Sequence, residues 1–337
     1  MPATRTVPPL PPLLPPPLIL ATSGRWQPDG SPCGIAVGNF DGVHVGHAAI
    51  VAALRGTAET LGVPAVVLTF DPHPASVLRP EAAPVPLTTP ARRAELLAAL
   101  GVDAVLVQPA DARLMSLSAE AFYGDVLRGR LGAKALVEGP DFRFGAGRRG
   151  DVELLRRWCA ADGLALDVVA PVMAGAEPVS SSRIRGLLSA GDVRAANRML
   201  TAPFRLSGTV VKGAQRGAAL GFPTANLAAI ATLVPAQGVY AARAAVAGAT
   251  GDRAGHAAAV HIGPNVSFGE TAVSVEVHLV GFTGDLYGRA LDVDFLERLR
   301  DTRRFESVAE LKAQLTADVA AATAIASQPP PIFDRNA

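Results

Sequence analysis

The stretch GNFDGVHVGH, Gly38 to His47, sets three glycines, one Asp and two histidines three residues apart between an apolar run and an apolar helical pattern. Backbone N–H groups at a helix N-terminus attract anions. Gly42 and Gly46 let a ligand approach that backbone closely, and His44 and His47 add imidazole donors beside the same turn. Such a site suits a nucleotide whose α-phosphate is attacked while pyrophosphate leaves, because positioning and charge stabilisation carry that chemistry. A metal reading lacks a third ligand, since H-x-x-H has only Asp41 nearby. A plain glycine turn with two incidental histidines accounts for the same residues.

SSSRIR, Ser180 to Arg185, is a second candidate. One of its serines can cap a helix. Arg183 and Arg185 then fall in the first turn, where cations oppose the helix dipole and an anionic ligand would offset them. The alternative is an ordinary serine cap with solvated arginines. GAGRRG, Gly145 to Gly150, matches G-x-G-x-x-G between a strand pattern and a helix pattern, with Asp167 about where a ribose-binding acid would lie. PDFRF separates the strand from the first glycine, however, and two arginines sit where small residues permit close packing. A basic loop over a phosphate ligand fits better than a dinucleotide fingerprint.

GAQRGAALGFPTANL, Gly213 to Leu227, reads as a glycine-punctuated loop followed by Pro-Thr-Ala-Asn. The Thr224 hydroxyl and the Asn226 carbonyl oxygen are hard ligands that suit Mg²⁺ bridging nucleotide phosphates. They are equally compatible with an ordinary turn. AVSVEVHLV alternates, with Val273, Val275, Val277 and Leu279 on one face and Ser274, Glu276 and His278 on the other. Glu276 can be a general base for a hydroxyl attacking a γ-phosphate, or a solvated carboxylate on an exposed sheet face.

The elements that must position these residues change character along the chain. GIAVGNF, AVVLTF, AVLVQP, AKALVEG and ALDVVAP read as strands. His47 to Leu61, TPARRAELLAALG, SAEAFYGDVLRGRLG and GDVELLRRWCAADG read as the helices between them. This alternation predicts a parallel sheet covered on both faces, with ligands beyond the carboxyl ends of its strands. After Pro203, FRLSGTVV, GVYAARAAV, HAAAVHIG, AVSVEVHLV and ALDVDFL are short β-like runs that predict an antiparallel barrel or sandwich. A last helix spans about 307–326. The boundary falls near 190–205. Proline-rich residues 1–25 cannot form a signal or membrane helix and read as a flexible extension.

The formal net charge of +1 over 337 residues argues against wholesale binding of nucleic acid or membranes by charge. No uninterrupted apolar run is long enough to span a bilayer. Cys33 and Cys159 make neither a disulfide framework nor a zinc site by themselves, so a reducing, cytoplasmic compartment is expected. Oligomeric state is left open.

Taken in order, GNFDGVHVGH, TFDPHP, DFRFG and SSSRIR resemble the nucleotidyltransferase module of the bacterial bifunctional riboflavin kinase/FMN adenylyltransferases. RGAALGFPTANL, GVYA, VEVHL, GDLYG and LRDTRRFESVAELKAQLTADV resemble the riboflavin kinase module. The resemblance implies a Rossmann-like α/β nucleotidyltransferase domain over 26–195. A small antiparallel Greek-key β-barrel domain with a C-terminal helix would follow over 200–326. It implies phosphorylation of riboflavin to FMN by ATP and adenylylation of FMN to FAD, both with Mg²⁺, with riboflavin, FMN and ATP as small-molecule substrates. His44 and His47 would contact the ATP phosphates, with Gly38, Phe40, Asp41 and Gly46 in the same segment. Asp141, Ser181, Ser182 and Arg185 would help hold the nucleotide, and Phe70 and His73 would lie near the flavin. In the kinase module, Gly217 and Gly221 would shape the ATP loop, and Thr224 and Asn226 would serve Mg-ATP. Glu276 would activate the riboflavin 5′-hydroxyl, and Arg300 and Phe305 would lie near the flavin. The chain departs from the family pattern at Ser182 (usually Thr), at Glu138 (usually apolar) and at Pro140. HIGPNVSF, with His261, Val266 and Ser267, replaces Asn-Ile-Gly…Pro-Thr-Phe.

Overall fold

The computed structural model describes residues 18–22, 24, 26, 29–213, 216–247, 255–264 and 273–328. Val266, Ser267 and most of the proline-rich start lie outside the described residues, but Leu18–Thr22, expected within a flexible extension, instead form a strand that pairs at the sheet edge. Packing divides the chain into two compact units that are discontinuous in sequence. One comprises 1–39, 50–84 and 97–170; the other comprises 40–49, 85–96 and 171–337.

The first unit is built on strands β1 (Leu18–Thr22), β2 (Cys33–Val37), β3 (Ala65–Asp71), β4 (Ala104–Pro109), β5 (Ala133–Glu138) and β6 (Ala165–Val168). They form one sheet in the order β1-β4-β3-β2-β5-β6. All neighbours are parallel except β1, which runs antiparallel to β4. Strands β2, β3 and β4 are almost wholly buried apolar runs, as a sheet covered on both faces requires. Ile35, Val66, Leu68, Leu106 and Leu136 share a core with Phe122, Leu127 and Leu155. The chain winds from β2 outward through β3 and β4, then returns to β5 on the other side of β2. The topological switch point therefore lies at the carboxyl ends of β2 and β5, where ligands bind in such sheets.

The longer helices are α1 (Val45–Leu61), α2 (Pro90–Ala99), α3 (Val152–Asp162), α4 (Ser181–Ser189) and α5 (Val308–Ala326). The helix expected over SAEAFYGDVLRGRLG differs in kind. A short α-turn at Ala119–Ala121 leads into a π-helix over Phe122–Arg130. Gly129 comes so close to the Gly124 carbonyl that a Cβ would lie 3.2 Å from that oxygen.

In the second unit, β7 (Arg205–Val211), β8 (Ala225–Ala228), β9 (Gly238–Val246), β10 (His256–Gly263), β11 (Ser274–Leu279) and β12 (Ala290–Arg300) form a closed barrel in the order β7-β8-β11-β10-β9-β12. Every pairing in it is antiparallel. Strands β9, β10 and β11 pair in succession and β12 returns beside β9, which is a Greek key. Period-two burial follows the sequence. In β11, Val275, Val277 and Leu279 are buried, while Ser274, Glu276 and His278 are only half-buried. Leu206, Tyr240, Val260, Val277, Val293 and Phe295 fill the interior. Helix α5 starts at Ser307, whose side chain accepts from Glu310 N–H. At its other end the Arg243 guanidinium donates to the Ala326 carbonyl at 3.0 Å. GAQRGAALG is not all loop, because Arg216–Leu220 forms one short helix.

Candidate functional site

The turn ahead of α1 is strained. Phe40 and Val43 have φ of 46° and 42°, with Gly42 at 83° between them. Side chains with a Cβ rarely adopt this region, and each such residue costs on the order of 1–3 kcal/mol. A Cβ at Gly42 would also lie 2.9 Å from Leu87 Cδ1, so that side chain would have to shift. Asp41 holds the turn. Its buried carboxylate accepts from Leu87 N–H at 2.9 Å, from Thr88 N–H at 3.0 Å and from Thr88 Oγ1 at 2.9 Å. It also pairs with Arg185, whose Nε–H donates to the Val85 carbonyl at 2.8 Å. Ser181 Oγ donates to the Asp41 carbonyl at 2.8 Å. Asp41, Ser181 and Arg185 are thus brought together, with the Asp41 carboxylate turned inward onto protein partners. Ser180 caps α4, and Ser182 is exposed beside it. Arg183 is engaged by Glu177.

The two histidines form one unit. Their rings stack with centroids 3.5 Å apart and planes 16° from parallel. His44 N–H donates to His47 Nδ1 at 3.2 Å, and His47 N–H donates to His44 Nδ1 at 3.3 Å. Both Nδ1 atoms accept, so in the neutral rings both protons sit on Nε2. Burial pushes the His44 pKa down to about 4, against the pull of Asp41. Burial, the His44 ring and Arg93 hold His47 well below the ordinary imidazole value. The pair is therefore a neutral double donor at the N-terminus of α1. Gly46 permits the stack, because a Cβ there would lie 3.1 Å from the His44 ring.

In the sheet unit, Gly38 continues β2, and its N–H donates to the Leu68 carbonyl at 3.0 Å. His73 Nδ1 accepts from Ala75 N–H at 3.1 Å, and its Nε2 lies 3.0 Å from the Asn39 amide. Phe70 is half-buried near the end of β3, and Asp141 is exposed just past β5. Glu138, an acid on a strand position expected to be apolar, is 2% exposed. Its Oε1 accepts from Val37 N–H at 2.8 Å, extending the β2–β5 ladder across the switch point. Burial drives its pKa well above the usual carboxylate range, so it favours the neutral acid.

The third cluster lies on the barrel. Asn226 of β8 is in register with Glu276 of β11. Glu276 accepts from Thr224 Oγ1 and from Ser274 Oγ, each at 3.2 Å. Gly217 must be glycine, because a Cβ would lie 2.3 Å from the Phe222 carbonyl, and Gly221 has φ of 90°. Arg300 donates through Nε and Nη2 to Asp318 of α5 at 3.0 and 2.7 Å, and its guanidinium lies 5.7 Å from the Phe305 ring centroid. The structure therefore brings Thr224, Asn226 and Glu276 together and places Arg300 with Phe305. Sequence reasoning missed Thr88, Asn39 and Asp318, and placed Ser274 on the face of Glu276 without giving it a role. Asp318 left a signal as a lone acid in the alanine-rich part of α5. Among the described residues, no cluster of three His, Cys, Asp or Glu side chains can hold a metal.

Residues 27–183 match the family model for FAD synthetase, and residues 200–326 match that for riboflavin kinase. A bifunctional riboflavin kinase/FMN adenylyltransferase of Pseudomonas fluorescens is 40% identical over 301 residues, covering 89% of this chain and 95% of its own. The protein of that name from Escherichia coli (strain K12) is 36% identical over 286 residues, covering 85% and 90%. A crystal structure described as a macrolide-efflux protein from Streptococcus pneumoniae superposes with a TM-score of 0.77 at 30% identity, covering 89% of this chain and 96% of that one. Among the described residues, no helix is long and apolar enough to cross a membrane.

Proposed function

The chain belongs to the bifunctional riboflavin kinase/FMN adenylyltransferase family, and we propose that it carries its two transfers on two separate sets of side chains. It phosphorylates riboflavin with ATP to give FMN and ADP, then joins FMN to the adenylyl group of a second ATP to give FAD and pyrophosphate. We assign the kinase step to residues 200–326 and adenylyl transfer to 26–195.

The observation that carries the kinase assignment is the contact of Glu276 with Thr224, one strand from Asn226. Glu276 takes the proton of the riboflavin 5′-hydroxyl as that oxygen attacks the γ-phosphorus, and ADP leaves. Thr224 and Asn226 offer two oxygen donors, which fits a magnesium ion held mainly by nucleotide phosphates. Bound there, such an ion would supply charge neutralisation for the phosphates. Arg300 and Phe305 are assigned to the flavin, and Gly217 and Gly221 to the ATP loop.

In adenylyl transfer an FMN phosphate oxygen attacks the α-phosphorus of ATP and pyrophosphate leaves. His44 and His47 donate through Nε2 to the phosphate oxygens on which negative charge grows, and neither ring changes protonation. Gly38, Phe40, Asp41, Gly46, Ser181, Ser182 and Arg185 shape or flank that nucleotide site. By the family resemblance alone, Asp141 is assigned to the nucleotide and Phe70 and His73 to the flavin. Incubation with riboflavin, ATP and Mg²⁺, with FMN and FAD quantified over time, tests the reading. Absence of both products refutes it.

A further inference from the structure

One buried polar atom near the barrel cluster has no role in the scheme above. His261 of β10 is half-buried, and its Nδ1 is sealed from solvent without a hydrogen-bond partner among the described residues. An unmet buried ring nitrogen costs on the order of 1–3 kcal/mol, a penalty removed when a ligand supplies the partner. The position of this atom is informative. Asn226 pairs with Glu276, Glu276 with His261, His261 with Val239 and Val239 with Arg300. Register partners project from the same face of a sheet, so these five residues form one row across the barrel. The row runs from the nucleotide end at Asn226, through the base at Glu276, to the flavin end at Arg300 and Phe305. His261 occupies the place directly after the base, on the flavin side. Neighbouring strands lie about 4.8 Å apart. Glu276 and His261 can therefore reach two hydroxyls of one polyol chain.

We propose that His261 is a substrate-binding residue of the kinase reaction: its Nδ1 hydrogen-bonds an internal hydroxyl of the ribityl chain of riboflavin and so holds the terminal hydroxyl at Glu276. The proposal rests on Glu276 being the kinase base. It makes His261 selective for flavins with a polyhydroxylated chain over those with a bare alkyl alcohol. Val239 offers no polar group, and Arg300, at the flavin end of the row, is turned to Asp318 and the Asp301 carbonyl. No other side chain of the row between the base and the flavin end can make that bond.

The test measures FMN-forming steady-state kinetics on the full chain at saturating Mg²⁺, for wild type and for His261→Ala, His261→Asn and His261→Gln. His261→Ala should raise KM for riboflavin about tenfold, the equivalent of one hydrogen bond of about 1.4 kcal/mol, and leave KM for ATP and FMN adenylylation unchanged. Asn places an amide atom where Nδ1 stood and should restore KM to within about threefold, whereas Gln, which reaches the Nε2 position, should not. A flavin carrying an ω-hydroxyalkyl chain of the same length, without internal hydroxyls, supplies the control. Wild type should discriminate against it, and His261→Ala should lose about a tenfold share of that discrimination. A riboflavin KM unchanged in His261→Ala, an equal rise in both KM values, or equal behaviour of Asn and Gln overturns the proposal. Should the alanine variant not fold, the Asn and Gln pair decides. Failure of the underlying reading looks different, because Glu276→Gln would then still make FMN at the wild-type rate.

Discussion

Lowering the pH from 7 to 5 should destabilise the histidine turn through His44, by an amount the structure sets. In the folded chain its pKa is pushed down to about 4 by burial, against 6.5 for a free imidazole. A histidine with a depressed folded pKa contributes stability that is complete above the unfolded pKa and is lost as pH falls toward the folded one, because only the unfolded chain takes up the proton. Linkage between pKa values of about 4 and 6.5 gives a loss of about 2 kcal/mol between pH 7 and pH 5. His44 is 7% exposed, so solvent screening takes little from this figure. Urea unfolding followed by circular dichroism at both pH values measures it. With a slope of about 1–3 kcal/mol per molar, the wild-type midpoint should fall by about 1 M more than that of His44→Gln. The variant is less stable at pH 7 but lacks the titrating ring. Parallel losses in the two proteins, within about 0.5 kcal/mol, would refute the neutral, buried imidazole on which the double-donor assignment depends.

Glu138 should show the opposite sign. Its folded pKa is raised, so its stabilising contribution is complete below the unfolded carboxylate value and disappears as pH rises through the folded one. Glu138→Gln keeps an acceptor for Val37 N–H without the charge. It should be more stable than wild type at pH 8 and gain less on acidification to pH 5, and a wild-type advantage at pH 8 in thermal melts would contradict this. Asp318 is 5% exposed at its side chain and Arg300 19%. Asp318→Ala should therefore cost about 3 kcal/mol, the lower end for breaking a buried pair, with Asp318→Asn in between. A loss below about 1 kcal/mol in urea unfolding would show that the clamp contributes little.

Periodicity accounts for what the sequence made legible. Continuous apolar runs such as AVVLTF and AVLVQP, short and rich in β-branched residues, read as doubly covered strands, and the strict alternation of AVSVEVHLV places Glu276 on the face opposite the valines. The π-helix over Phe122–Arg130 was not legible, because apolar spacing does not distinguish i→i+4 from i→i+5 closure around Gly124 and Gly129. Long-range partners were equally hidden. Nothing local announces that Asp41 will be held by Thr88 and Arg185, or that Glu138 will complete a ladder with Val37. The arginines of SSSRIR, which composition left facing an anion or solvent, meet Asp41 and Glu177. Nor does the linear change of texture near 190–205 reveal that the histidine turn packs with the unit that carries the barrel. There Val45 N–H donates to the Met199 carbonyl at 2.9 Å, and Thr201 Oγ1 to the Val43 carbonyl at 2.7 Å.

The central claim is that two independent sets of side chains carry two successive transfers, and one variant given two substrates tests it most directly. Glu276→Gln supplied with riboflavin, ATP and Mg²⁺ should form FMN at least about 100-fold more slowly than wild type, the scale of a lost general base. Supplied with FMN instead, it should form FAD at the wild-type rate. FMN formation at the wild-type rate, or a parallel loss of FAD formation from FMN, would contradict the account.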